Sequence, residues 1–209
     1  MTVLNQLATA LNRRDEVPNQ ELAQRIVKAR DRKAVMDLVE NLRNKDKNIQ
    51  SDCIKVLYEI GEGRPELIAE YAREFEKLLD SKQNRLVWGA MSALDCIAAV
   101  EPEAVRGMLP NIIAVADRGS VITKDHTVGI LAKLASVEEY ADECVPLLME
   151  ELRKSPDNQF PMYVEKSFPA ITGKYKKRFQ SLVMKRLESL EQEPKRKRVL
   201  KVLKKLDTT

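Results

Sequence analysis

Residues 49–60 read IQSDCIKVLYEI, residues 86–97 LVWGAMSALDCI, residues 123–134 TKDHTVGILAKL and residues 160–171 FPMYVEKSFPAI; each stretch begins 37 residues after the one before. Aligned at that step, Ile49, Cys53, Leu57 and Ile60 fall on Leu86, Ala90, Leu94 and Ile97. They fall next on Thr123, Thr127, Leu131 and Leu134, and then on Phe160, Val164, Phe168 and Ile171. The spacing i, i+4, i+8, i+11 is one face of a 3.6-residue helix. Twelve of the sixteen positions are plainly apolar, so the four segments read as copies of one amphipathic helix, B. A fifth copy, Val199, Leu203 and Leu206, follows after a shorter step of 35 residues.

A second helix, A, precedes each copy. Leu38 and Leu42 lead to Phe75 and Leu79, then to Ile112 and Ala116; the next step reaches Met149, while Leu152 continues the series Leu78, Val115. Pro65 and Pro102, one period apart, stand near the starts of A helices, where a missing N–H leaves no hydrogen bond unmade. GEGRP at 61–65, VEP at 100–102, Ser136-Val137-Glu138 and Thr172-Gly173 separate the units. Gly61-Glu62-Gly63 reads as a helix C-terminal turn in left-handed conformation. Asp46/Asn48, Asn84, Ser120 and Asp157/Asn158 are expected N-caps of B helices.

The helix pairs are placed at 31–61, 65–99, 102–135, 138–172 and 174–206. Together they make one continuous domain over 31–206, with 1–30 as N-terminal capping helices. In that cap Leu4, Leu7 and Leu11 form one stripe and Leu22 and Ile26 another, and Asp15–Asn19, containing Pro18, is the break between them. One such unit cannot bury its apolar face alone, and stacking makes the core continuous. The expected fold is all-α, a right-handed α-solenoid of about five helix pairs with helix B on the concave side.

The pattern resembles the HEAT-repeat family over residues 31–206. The residues that carry the resemblance are the two-helix unit, an A helix with a proline (Pro110, Pro146) and a B helix reading apolar-x3-small-x3-Leu-x2-Ile. Asp46 and Arg85 are approximate counterparts of the family's turn Asp and early helix-B Arg. The resemblance implies a scaffold or adaptor. It also admits DNA binding, as in bacterial members similar to alkylation-repair glycosylases.

Of 209 residues, 44% are hydrophobic, 33% charged and 5% aromatic, a composition that favours helix. No apolar run is long enough to cross a bilayer, and the first residues lack the pattern of a secretory signal. A soluble, cytoplasmic protein is expected, as a monomer. Cys53, Cys96 and Cys144 are too widely spaced for a CxxC metal or redox site. His126 is the single histidine, and there is no phosphate-binding glycine loop. Neither a catalytic centre, a metal nor a cofactor is expected.

The register sorts the outward B-helix positions into columns: Ser51, Trp88, Asp125, Met162; then Asp52, Gly89, His126, Tyr163; then Lys55, Ser92, Gly129, Lys166; then Asn48, Arg85, Ile122, Gln159; then Tyr58, Asp95, Ala132, Pro169. Trp88 is the only tryptophan, and Trp, Tyr and Arg dominate binding hot spots. Arg85, Trp88, Asp125, Tyr163 and Lys166 are therefore the candidate residues for a protein or peptide partner. A carboxylate beside aromatics could also hold a cationic base, which is the glycosylase-like alternative through Trp88, Asp125 and Tyr163.

Charge is uneven along the chain. Residues 174–209 carry thirteen Lys and Arg against four Asp and Glu, net +9, and the remainder carries 23 against 28, net −5. Lys195, Arg196, Lys197, Arg198 and Lys201 are candidate phosphate contacts for a nucleic-acid partner. The alternative is that this end is a solubilising cap.

Overall fold

The computed structural model describes residues 2–208, which form twelve α-helices and no strand among the described residues. In chain order these are α1 (Val17–Ala29), α2 (Arg32–Glu40), α3 (Lys47–Gly63), α4 (Ala72–Leu78), α5 (Asn84–Ile97) and α6 (Pro102–Arg106). They are followed by α7 (Leu109–Arg118), α8 (Val121–Ala135), α9 (Glu138–Lys154), α10 (Phe160–Ser167), α11 (Lys176–Glu188) and α12 (Glu193–Thr208). The B segments are α3, α5, α8, α10 and α12. Of the sixteen register positions, fourteen are buried, Ile49 and Phe168 being partly exposed. Thr123 and Thr127, 1% and 0% exposed, hold the register where the apolar pattern lapses.

The chain forms two compact units, residues 1–123 and 124–209. In the first, α1 packs on α3 and α3 on α5, with α2 and α4 behind them. Phe75, Leu57, Ile60 and Leu94 are fully buried there, each contributing about 1.5–3 kcal/mol by its removal from water. The α3–α5 contact is close. A Cβ on Gly89 would lie 2.4 Å from Cγ1 of Ile54, so only glycine fits at that crossing. In the second unit α10 packs on α12, and α11 lies against both α9 and α12.

Neighbouring repeats are also pinned by polar links spanning about one period. Asn19 reaches Asp52, Gln83 reaches Ser51, Asn111 reaches Glu76 and Arg118 reaches Asp80 in the first unit; Tyr163 reaches Asp125 and Arg198 reaches Glu165 in the second. The partners are 32 to 38 residues apart. These links join each repeat to the next along the chain, the nearest-neighbour pattern of a repeat protein.

Local structure departs from the sequence reading in several places. Pro18 does not break the cap: it sits in the first turn of α1, and the described residues before it form a 3₁₀ turn, Val3–Gln6, and further turns but no α-helix. Leu11, expected in an apolar stripe, is 50% exposed. Gly61 is inside α3, not in a left-handed turn; a Cβ there would lie 2.6 Å from Cδ1 of Ile68. The A elements are broken. Two 3₁₀ turns, Pro65–Leu67 and Ala69–Tyr71, precede α4, and α6 gives way to α7 just ahead of Pro110, which lacks the N–H to continue an incoming helix. Asp46 does cap α3, accepting from the N–H of Asn48 at 2.8 Å. Asn84 is instead the first residue of α5, and Ser120 Oγ is buried without a hydrogen-bond partner among the described residues. Pro169 ends α10 after eight residues in a 3₁₀ turn, Phe168–Ala170.

Candidate functional site

The first unit holds a cleft of about 850 Å³. Four elements line it: the segment Ala8–Glu16, α1 through Asn19, α3 through Asn48, Ser51, Asp52, Lys55 and Tyr58, and α5 through Arg85 and Trp88. The helical residues share a strip because 48, 51, 55 and 58 recur every three to four residues, and 85 and 88 repeat 48 and 51 one period on. Trp88 and Tyr58 are both half-buried and both line the cleft.

The loop is fastened to α3 by Asp52, whose two oxygens accept from the N–H of Thr9 at 2.7 Å and from Nδ2 of Asn19 at 2.8 Å. Asn19 in turn accepts from the N–H of Ala8 at 2.9 Å. Asn12 turns the loop with φ of 55°, a left-handed conformation that Asn tolerates. Lys55 bridges Glu16 at 2.9 Å and Glu59 at 2.6 Å, and its ammonium lies 4.7 Å from the Tyr58 ring centre. Burial alone lowers the Lys55 pKa, but hydrogen bonds to Glu59, Tyr58 and Glu16 more than offset it, so the ammonium is held charged. Arg13 grips Asp15 through two bonds of 2.9 and 2.8 Å, and this guanidinium draws the Asp15 carboxyl below its usual value.

Every carboxylate on the cleft wall is therefore committed, whereas Arg14 and Arg85 take no ion-pair or hydrogen-bond partner among the described residues. The Trp88 side chain makes no hydrogen bond among them either; only its carbonyl is used, by Ser92 Oγ at 3.0 Å.

The sequence reading placed Arg85 and Trp88 on the open strip, and the structure puts them there together. It did not single out residues 12–16, placing only a break between capping helices at Asp15–Asn19, and passed over Lys55 and Tyr58 although both stood in its columns. The available signal was the dense RRDE run at 13–16 directly after an apolar stripe.

The remaining candidates behave differently. Tyr163, expected on the open face, is 1% exposed; its hydroxyl donates to Oδ1 of Asp125 at 2.8 Å. Burial and the Asp125 carboxylate both push its phenol well above the usual range. Lys166 donates to the carbonyl oxygen of Asp125 at 3.2 Å. Asp125, Tyr163 and Lys166 thus tie α8 to α10. An aromatic platform at Tyr163 for the glycosylase-like chemistry is overturned, because that ring is inside the protein. Among the described residues no group of three or more His, Cys, Asp or Glu gathers as a metal would need.

The basic run is largely engaged with the protein itself. Arg196 donates to the carbonyl of Leu187 in the last turn of α11, a group the helix leaves open, and to that of Leu190 just beyond it. Arg198 forms a two-bond pair with Glu165 at 2.9 and 2.6 Å, and Lys195 donates to Asn158. Lys197 lies 3.9 Å from Glu193, and Lys201 is exposed. Arg186 does for α9 what Arg196 does for α11, reaching the carbonyls of Arg153 and Ser155 at 2.8 and 2.9 Å.

No protein-family model matches the sequence, and no curated protein sequence matches it. Solved structures do. A designed armadillo repeat protein in complex with the peptide (KR)4 aligns over 88% of this chain and 85% of its own, with TM-score 0.66 and 18% identity. Computationally designed armadillo repeat proteins for modular peptide recognition align over the same shares at TM-score 0.65 and 19% identity. An engineered protein aligns over the whole of both chains at TM-score 0.67 and 19% identity. The fold is an all-α helical-repeat solenoid of armadillo-like type. Among the described residues no helix is long and apolar enough to cross a membrane.

Proposed function

We propose that this protein is a non-enzymatic scaffold that binds a linear protein or peptide segment on the surface of its B helices, with the cleft of residues 8–88 as the principal site. One observation carries the reading: Trp88, the single tryptophan, stands half-buried beside an unpaired Arg85 in a cleft of about 850 Å³. A large aromatic ring and an arginine in one recess supply contact area and directed hydrogen bonds with few rotamers to freeze. The peptide complexes of structurally similar designed repeat proteins support the same reading by analogy of fold.

The test is selection from a displayed library of random linear peptides against the full chain. Sequences that enrich and then lose binding to Trp88→Ala support the proposal. No enrichment, or binding unchanged by that substitution, removes it.

A second reading is a phosphate-bearing polymer on the last repeat, favoured by a specific observation. Lys177, Arg178, Lys185, Lys201 and Lys204 are exposed and take no ion-pair or hydrogen-bond partner among the described residues. Replacing Lys201 and Lys204 with Gln is the informative change, since Lys195, Arg196 and Arg198 serve the fold. Binding of labelled duplex DNA that weakens steeply with salt and falls in that variant supports it. No binding at low salt ends it.

A further inference from the structure

We propose that the segment held by the cleft is acidic, with carboxylates paired to Arg85 and Arg14 and an apolar side chain laid against Trp88 and Tyr58. This rests on the scaffold reading and sharpens it.

Charge accounting decides the class. Asp15 is held by Arg13, Glu16 by Lys55, and Asp52 by two N–H donors, so no lining carboxylate remains to receive a cationic peptide. The two unpaired ionic groups are both guanidiniums, whose planar fork matches a carboxylate through paired bonds. The (KR)4 peptide of the designed neighbour is thus the opposite of what this surface suits.

The protein also supplies its own precedent. Lys55 already captures Glu16 from the chain's own loop, at 2.9 Å, while Asp52 takes the main-chain N–H of Thr9. The α3 strip therefore grips a segment carrying an acidic side chain. Arg85 and Trp88 repeat Asn48 and Ser51 one period further, where the loop does not lie and the strip is open.

A nucleic acid fits less well. Phosphate-driven binding draws on many neutralised phosphates, roughly six to ten in strong cases. Two unpaired cations with three carboxylates beside them do not provide that.

The experiment uses the full chain and its single tryptophan as reporter. Three probes are titrated while Trp88 emission is followed, with calorimetry as a second readout: an eight-residue Asp/Glu peptide carrying one central Phe, the peptide (Lys-Arg)4, and a short single-stranded DNA. The acidic peptide should bind and shift Trp88 emission. Arg85→Glu should weaken it about tenfold and the Arg14→Glu/Arg85→Glu pair further, whereas Lys33→Glu, outside the cleft, leaves it unchanged. All three substitutions are at exposed positions, and far-UV circular dichroism checks the fold.

Equal weakening by Lys33→Glu overturns the site. Tighter binding of (Lys-Arg)4 overturns the acidic assignment and leaves the scaffold reading standing. DNA that shifts Trp88 emission more strongly than the peptide overturns the peptide assignment. If neither peptide binds, the acidic proposal falls. The scaffold reading falls with it only if the random library also yields nothing.

Discussion

The Tyr163 hydroxyl donates a 2.8 Å hydrogen bond to Oδ1 of Asp125, 38 residues earlier in the chain. The ring that carries it is 1% exposed, so this bond joins α8 and α10 from inside the second unit. A position that repeat register assigned to the surface is a structural tie.

Tyr163→Phe keeps the ring and deletes the donor, leaving a half-buried carboxylate with one partner fewer. A loss of about 1–2 kcal/mol is expected, measured by denaturant unfolding. Folding raises the Tyr163 pKa, so the wild type binds more protons folded than unfolded above pH 10. Its contribution is complete below the unfolded phenol value near 10 and declines as pH rises beyond it. Stability measured from pH 9 to 12 should fall more steeply in the wild type than in Tyr163→Phe.

Gly89→Ala should destabilise the protein although alanine is the better helix former by about 1 kcal/mol. The new methyl would stand 2.4 Å from Cγ1 of Ile54, and overpacking of that kind costs about 1–3 kcal/mol. Ile54→Ala removes Cγ1 and Cγ2 and leaves only Cβ, at 3.3 Å. The double variant should therefore be more stable than the sum of the two single losses, a coupling that a double-mutant cycle reads directly.

Asp52→Ala strips both acceptors that hold the N-terminal loop, those of Thr9 and Asn19. Trypsin should then cut faster after Arg13 and Arg14, with the rest of the chain resistant at first. Unchanged cleavage would show that the remaining ties, Lys55 to Glu16 and the Ala8 N–H to Asn19, hold the loop without Asp52.

Arg196→Ala and Lys197→Ala test the two roles within one basic run. Arg196 closes carbonyls in and just beyond the last turn of α11, so its loss should cost about 1–2 kcal/mol and speed amide exchange across residues 184–190. Lys197 is 74% exposed and 3.9 Å from Glu193, and its removal should change stability by less than about 0.5 kcal/mol.

Cys53 adds a reactivity test. It is fully buried, and burial pushes its thiol up to about 12. At pH 8 in native buffer it should resist a thiol reagent, since the thiolate is the reactive form, and become reactive in denaturant.

Where the sequence was legible, the reason was periodicity. Cys53, Leu57, Ala90, Leu94 and Leu131 are buried because a 37-residue repeat placed each on the same helix face. The open strip was only half legible. A B helix is covered by its A partner on one side and by neighbouring B helices on two more, so few columns stay exposed. Asn48, Arg85 and Ile122 do; Gly89 and Tyr163, one column over from Trp88, lie in the seam between helices. Register says that positions are equivalent, not which side of a helix its neighbour takes. The loop at 8–16 was illegible for another reason. Its placement depends on hydrogen bonds of Asp52 to a main-chain N–H and a side-chain amide from residues far away in sequence, which no local pattern encodes.

The links of 32 to 38 residues between neighbouring repeats also set how the chain moves under load. Pulled from its ends in an optical trap, such a chain yields in small steps of about one repeat, each reversible, and takes up slack as a spring does. A partner lying across several repeats would stiffen that spring. Its presence could then be read from the lengthening of the first step even before its identity is known.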